Sequence, residues 1–230
     1  MFCKCGRKAR ISRPHEGRAY CEQCLIRLVR RRVKRELRKL GIEKGDKVVI
    51  FVPRCSRFHA LLLEELEKIF AKWKELRLIA LIFDFEEKTS TEPKIGKIEM
   101  KRLRIPSQPK SCQECINTQL EICKKFLGDN EAKIMTSLVL EEILTLFLRT
   151  FLEGTPIFLW SPLGFLRGRE ARICSEFLKL TPRNECEMKD ELTKTLDRML
   201  EDLETKHPGV LNQLYTSAKV IGKDPYRLKD

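Results

Sequence analysis

The six residues 47–52, Lys-Val-Val-Ile-Phe-Val, constrain the fold more than any other feature of the chain. So short and so continuously apolar a run predicts a strand covered on both sides, as strands are in parallel sheets. A turn follows at 53–57. Phe58, Leu61, Leu62, Leu66, Ile69 and Trp73 then recur at helical spacing, and 76–83 repeats the apolar run before Asp84 closes it. The same alternation returns further on. A cysteine-bearing segment from 112 leads into a helix near 116–127, 132–136 reads as a strand, 138–152 as a strongly apolar helix, and 155–160 as one more strand. Between the two halves, 86–93 is polar and turn-like, 95–105 suits an extended edge and 107–110 a connection. Leu192, Leu196, Met199 and Leu203 mark one face of a later helix; Pro208-Gly209 ends it before a last helix around 210–221. The expected fold is α/β, with a mostly parallel open sheet, helices on both of its faces, and no second domain in the tail.

A chain of 230 residues can bury one good core with a small appended module. With 34% charged residues and no apolar run approaching about eighteen residues, no membrane span is expected. The opening MFCKCGRKARI lacks the apolar stretch of an export signal. The ten cysteines, partly set in close pairs, are therefore expected to act as ligands in a reducing cytoplasm rather than as disulfides. The net charge of +13 is uneven: residues 1–50 hold sixteen Lys and Arg against five Asp and Glu, and the rest of the chain is nearly balanced. One end carries the field, as expected where a polyanion is held at a defined place.

That end begins with Cys3-Lys4-Cys5 and, fifteen residues on, Cys21-Glu22-Gln23-Cys24. Two such pairs can close on one ion from opposite sides, and zinc is the default metal for a structural thiolate site. The one-residue spacer of the first pair is tighter than usual, and His15, in the intervening loop, is an alternative ligand. A segment with so few large apolar residues has little else to keep it folded. Next comes LIRLVRRRVKRELRKLG. Leu25, Val29, Val33, Leu37 and Leu40 form one helical stripe ended by Gly41, while Arg27, Arg30, Arg31, Arg32, Lys34, Arg35, Arg38 and Lys39 crowd the other faces. Guanidinium groups match phosphates bidentately. The wide polar face and the lack of an aromatic anchor favour nucleic acid over an acidic membrane.

In open α/β sheets ligands gather beyond the carboxyl ends of strands, so the turn Val52-Pro53-Arg54-Cys55-Ser56-Arg57 matters most. It has no glycine, and Pro53 offers no N–H. Arg54 and Arg57 could meet an isolated phosphate, but the turn is poorly made to wrap a triphosphate. The plain alternative is a strand-to-helix turn capped by Ser56. Cys55 and His59 stand one helical turn apart, with nothing to fix their orientation as nucleophile and base. Glu141-Glu142 begins no metal signature, because no histidine follows. Cys112-Gln113-Glu114-Cys115 is a second close pair, and Cys186 could join it above one edge of a parallel sheet. Three thiolates would suit zinc or an iron–sulfur cluster with one iron left open. Redox or persulfide chemistry, or mere loop packing with Cys123 and Cys174 in the core, are the other readings.

Together these residues resemble the tRNA 2-thiolation proteins, which have an ATP-pyrophosphatase fold of the adenine-nucleotide alpha-hydrolase type. CKCGRKARISRPHEGRAYCEQCLIRLVRRRV is similar to their N-terminal zinc finger and following helix, apart from the shortened first pair. KVVIFVPRCSRFHALLLEEL lies where active members carry Ser-Gly-Gly-x-Asp-Ser; Val52 to Arg57 occupy those positions without the glycines or the aspartate. Cys112, Cys115 and Cys186 match the cysteines that hold a cluster or carry sulfur. TSLVLEEILTLFLRTFL lies at Gly-His-Asn-x-Asp-Asp-Glu, of which only Glu142 is kept, and ETKHPGVLNQLYTS resembles the family's Glu-x-x-x-Pro-Gly helix pair. No C-terminal zinc ribbon is expected after Asp230. The resemblance implies a zinc-binding finger at 1–26, a basic linker helix at 27–41 and a degenerate ATP-pyrophosphatase-like domain at 42–230. It points to the second, non-adenylating subunit of the cytoplasmic thiolation complex. The implied role is a tRNA-binding accessory subunit serving a catalytic paralogue, with a sulfur-carrier protein as a further partner, and with helix 138–152 and Phe158-Leu159-Trp160 placed against that paralogue. A self-sufficient thiolation enzyme with an altered ATP site, or a zinc-dependent nucleic-acid-binding regulator, are the other readings.

Overall fold

A computed structural model describes residues 1–85, 96–106, 108–128, 132–184 and 186–222. The polar stretch 86–93 and residue 107 lie outside these. The chain opens with a two-stranded antiparallel hairpin, β1 (Ile11–Arg13) and β2 (Arg18–Tyr20), joined through a single 3-10 turn at Pro14–Glu16. Gly17 leaves that turn at φ +60°, a conformation few other residues adopt without strain. Helix α1 (Glu22–Lys39) follows, then the α/β body: β3 (Lys47–Val52), α2 (His59–Phe70), β4 (Arg77–Asp84), β5 (Ile98–Arg104), α3 (Cys112–Leu127), β6 (Lys133–Thr136), α4 (Leu140–Leu152), α5 (Gly168–Phe177), α6 (Glu191–Lys206) and α7 (Val210–Ile221). The body's four strands lie in the order β5-β4-β3-β6, and every pairing is parallel.

The alternation of side chains across a pleated strand explains the layers. Val48, Ile50 and Val52 of β3, with Leu78, Ala80 and Ile82 of β4, face a core shared with α1, α2 and α5. Val49 and Phe51, with Ile79, Leu81 and Phe83, face the opposite core, shared with α3, α4, α6 and α7. Both faces are thus covered by helices, and β3 is buried from Val48 to Val52 because it has no wet side. Leu25, Val29, Val33 and Leu37 of the α1 stripe are likewise buried, each side chain contributing roughly 1.5–3 kcal/mol.

Residues 155–160 are not a strand of this sheet. Pro156 has no N–H to offer a ladder, and the neighbouring donors turn back to the end of α4: Thr155 N to Thr150 O at 2.9 Å and Ile157 N to Thr150 Oγ1 at 2.8 Å. The Trp160 carbonyl accepts from Thr136 N at 3.0 Å and so stays beside the end of β6. Helix α2 ends at Phe70 rather than 73, leaving Trp73 to stack edge-on against Phe70 at 5.2 Å. Helix α4 and Phe158-Leu159 are buried against α6 and α7 of the same chain, so no partner is needed to cover them; of α4, Phe151 and Leu152 remain exposed. No described helix is long and apolar enough to cross a membrane.

Helix α5 has no legible stripe. It buries Glu170, Ala171, Cys174 and Ser175, one of them charged. The charge is met by Arg13, itself 2% exposed, whose Nε and Nη2 donate to the two Glu170 carboxylate oxygens. Arg13 also reaches Glu16 Oε1 at 2.7 Å. The hairpin and the body are thereby joined by a buried, forked ion pair.

Candidate functional site

The turn that places the first cysteine pair is local: Cys3 N bonds Arg7 O at 2.8 Å, Gly6 N bonds Cys3 O at 2.9 Å, and Gly6 takes a φ of +82°. The second pair stands at the start of α1, with Cys21 at the N-cap and Cys24 in the first turn. The sulfurs of Cys3, Cys5, Cys21 and Cys24 all lie within 4.8 Å of one another, and Cys5 and Cys21 are 3.6 Å apart. A tetrahedron with Zn–S bonds of about 2.3 Å sets its sulfurs about 3.8 Å apart. The four cysteines therefore fit one zinc-sized ion. Backbone N–H groups of Cys5 and Cys21 lower the Cys3 thiol to about 6, while hydrogen bonding to Cys5, then burial, raises Cys24 to about 12. Such a divided set is one in which a cation displaces the remaining protons. His15 is not among the ligands; its Nδ1 lies 2.9 Å from Arg167 Nη2.

Arg27, Arg30, Arg31, Arg32, Lys34, Arg35 and Arg38 line one shallow depression of about 540 Å³ along α1. They are not equivalent. Arg30 forks onto Glu65 at 2.7 and 3.0 Å, and the Glu65 carboxylate is fully buried in α2. Arg32 reaches Glu16 at 2.6 Å and lies over the Phe165 ring at 5.5 Å. These two hold the helix to its neighbours. Arg27, Arg31, Lys34, Arg35 and Arg38 are exposed, and of these only Arg35 has an ion-pair partner among the described residues, Glu36 at 3.7 Å.

At the carboxyl end of β3, the turn at 53–57 is bonded mainly from within. Arg54 N donates to Gln119 Oε1 at 2.9 Å, Ser56 N to Pro53 O at 2.9 Å, and Arg57 N to Glu142 Oε1 at 2.9 Å. Ser56 does not cap α2: its Oγ donates to Ser137 O at 3.0 Å, and Phe58 holds the N-cap position. Three backbone donors of the turn are thus taken up by the chain's own oxygens, one of them a carboxylate. Glu142 also accepts from Val139 N at 3.0 Å, and Glu141 from Gly168 N at 2.8 Å. Burial raises both carboxyls to about 7 against those hydrogen bonds. His59 is pushed down to about 4 by burial and then by Arg183, and burial pushes the Cys55 thiol well up.

Beyond this turn Cys55 lies within the electrostatic reach of three other thiols, Cys112, Cys115 and Cys186. Ser111 caps α3 by accepting from Glu114 N at 3.1 Å, which sets Cys112 and Cys115 in the helix's first turn. Gln119 Nε2 donates to Cys115 Sγ at 3.0 Å, tying that thiol to the residue that holds Arg54. From the other side, Arg183 N donates to Arg57 O at 2.8 Å and brings the segment carrying Cys186 against the turn. Burial, then Cys186 and Cys115, raise Cys112 to about 12, and burial, then Cys186, raises Cys115 to about 11. Sequence reasoning paired Cys112, Cys115 and Cys186 but missed Cys55 as their neighbour. Its signal was its position directly past the first buried strand, at the edge where loops converge. Among the described residues, only the N-terminal four cysteines stand close enough for a single ion. Cys123 and Cys174 lie in the core.

No protein-family model and no curated protein matches the chain. Among solved structures, the U34-tRNA thiolase NcsA from Methanococcus maripaludis, with its 4Fe-4S cluster, superposes with a TM-score of 0.75 at 17% identity, covering 100% of this chain and 89% of that one. The NAD+ synthetase from Burkholderia pseudomallei aligns at a TM-score of 0.46 and 13% identity, over 87% of this chain and 89% of that one. The fold is therefore that of the thiolase structure, and in this chain a four-cysteine module precedes the parallel sheet and its helical layers.

Proposed function

We propose that this protein is a tRNA-binding accessory subunit of a wobble-uridine 2-thiolation complex, supporting a catalytic paralogue in the cytoplasm without activating tRNA through ATP. The observation that carries the reading is the turn at 53–57, where the backbone donors of Arg54, Ser56 and Arg57 are taken by Gln119, Pro53 and Glu142. The likeness to a U34-tRNA thiolase supports the chemistry of the complex, and the exposed cations of α1 support the RNA contact. In this reading residues 1–26 form the zinc finger, 27–41 the basic helix and 42–230 the degenerate domain. Zinc sits on Cys3, Cys5, Cys21 and Cys24. Cys112, Cys115 and Cys186 hold an iron–sulfur cluster, and Arg54 Nε, a buried donor with no acceptor among the described residues, suits an anionic group beside Cys115. A cluster there would supply iron–sulfur chemistry next to the tRNA; the chain's own part is to position both. A sulfur-carrier protein is a further partner.

The test is binding by the full chain. It should bind tRNA with steep salt dependence, fail to retain ATP, and release no AMP and pyrophosphate. Changing Arg27, Arg31, Lys34, Arg35 and Arg38 together to Gln should weaken tRNA binding and flatten the slope of log K against log salt by about 0.7 for each phosphate no longer neutralised. An unchanged slope in that variant sinks the RNA face, and AMP formation sinks the accessory role.

A further inference from the structure

Three thiolates leave one iron of a four-iron cluster open. The structure adds a fourth. Cys55 is bracketed by three anchors on the residues around it: Arg54 N on Gln119, Ser56 Oγ on Ser137 O, and Arg57 N on Glu142. The same turn is joined to α3 through Gln119, which also holds Cys115 Sγ, and to the 183–186 segment through Arg183 N on Arg57 O. Cys55 therefore stands between the two segments that carry the other three thiols, and packs against the core to which Cys115 belongs.

We propose that Cys55, Cys112, Cys115 and Cys186 together cap all four irons of a 4Fe-4S cluster, leaving none open to sulfur or substrate. This rests on the reading that the last three hold a cluster at all. Guanidinium groups stand around these thiols: Arg54 acts on Cys115, Arg149 acts on Cys112, and Arg183 lies within the fields of Cys55 and Cys186. Arg149 is also paired with Asp190 and Glu153, and Arg54 with Asp84, so together they offset only part of the negative charge of a cluster with four thiolate ligands. A closed cluster orders the three segments and carries no sulfur itself, in keeping with a subunit whose paralogue performs the transfer.

The experiment is anaerobic reconstitution of the full chain with iron and sulfide, comparing the wild type with Cys55→Ala, Cys55→Ser and Cys112→Ala. Iron and sulfide content are measured with Mössbauer and EPR spectra in the presence and absence of added cyanide. The wild type should bind four irons and show no cyanide-dependent change. Cys55→Ala should acquire one distinct iron that takes cyanide, or lose that iron to give a 3Fe-4S spectrum, and Cys55→Ser should keep four irons with one altered site. Cyanide binding to the wild-type cluster, with Cys55→Ala indistinguishable from it, overturns the role of Cys55 while leaving the three-cysteine cluster standing. Absence of iron from the wild type, with Cys112→Ala no different, overturns the cluster and with it the closed set. Should Cys55→Ala not fold, the wild-type response to cyanide decides alone.

Discussion

Two groups of four cysteines occupy this chain, and they are built in opposite ways. Cys3, Cys5, Cys21 and Cys24 come from a stretch with few buried apolar side chains, and their sulfurs stand within 4.8 Å of one another. Cys55, Cys112, Cys115 and Cys186 come from three distant segments, placed by a strand end, a capped helix start and a loop, with Cys115 in the core on that side of the sheet and Cys55 packed against it. The first group is set by turns of its own short stretch, whereas the second is gathered by the whole fold. Spacing in sequence is informative in the first case because chelation is local, and uninformative in the second because topology does the gathering.

The largest expected effect breaks or confirms this contrast directly. Stripping metal from the full chain should abolish amide protection across residues 1–20 while protection persists in β3, β4 and α4. Structural zinc contributes apparent free energies of about 10–16 kcal/mol in finger peptides, and hydrogen exchange after chelation reads the loss; retained protection would place the module's stability elsewhere.

Next in size is the joint between the regions. Arg13→Met leaves Glu170 buried without its cation and should cost about 3–5 kcal/mol in urea unfolding, whereas the double change Arg13→Met with Glu170→Gln should recover most of it. Equal losses in single and double variants would mean that the pair is not what couples hairpin to α5.

A smaller effect belongs to the acidic end of α4. Glu141 titrates near 7 in the folded protein against 4.5 for its ordinary value, chiefly through burial. Its stabilising contribution is full below about pH 4.5 and fades as pH rises to 7, since the unfolded chain ionises first. Glu141→Gln should therefore narrow the stability difference between pH 4.5 and 8 by on the order of 2–3 kcal/mol, measured by denaturation across pH. An unaltered profile would show that this carboxyl is solvated.

Smallest of all, Cys112→Ser in the metal-free chain should shift stability by no more than about 1 kcal/mol, read from the urea midpoint. A loss of several kcal/mol would show that the second cysteine group also builds its surroundings.

Some of this was open to reading along the chain. Period-free apolar runs within 47–52 and 76–83, charged only at Lys47 and Arg77, place two buried parallel strands, because only a strand wet on neither face can be apolar at successive positions. The α1 stripe announces the helix and its inner side. Helix α5 was illegible because its buried face is Glu170, Ala171, Cys174 and Ser175, whose burial depends on Arg13 arriving from 157 residues away. The strand expected at 155–160 failed at Pro156 and Thr150, where the backbone found partners on α4 instead.

The sequence by itself determined the zinc-type module, the cationic surplus of the first fifty residues and the absence of glycine at the first turn of the sheet, since each depends on residue type and short spacing. Only the tertiary structure decided which cations are exposed, with Arg30 and Arg32 bound to Glu65 and Glu16. It also decided that Gln119 and Glu142 fill the turn and that Cys55 joins three remote thiols, because these are contacts between segments whose proximity is set by packing of the whole chain rather than by neighbours in it.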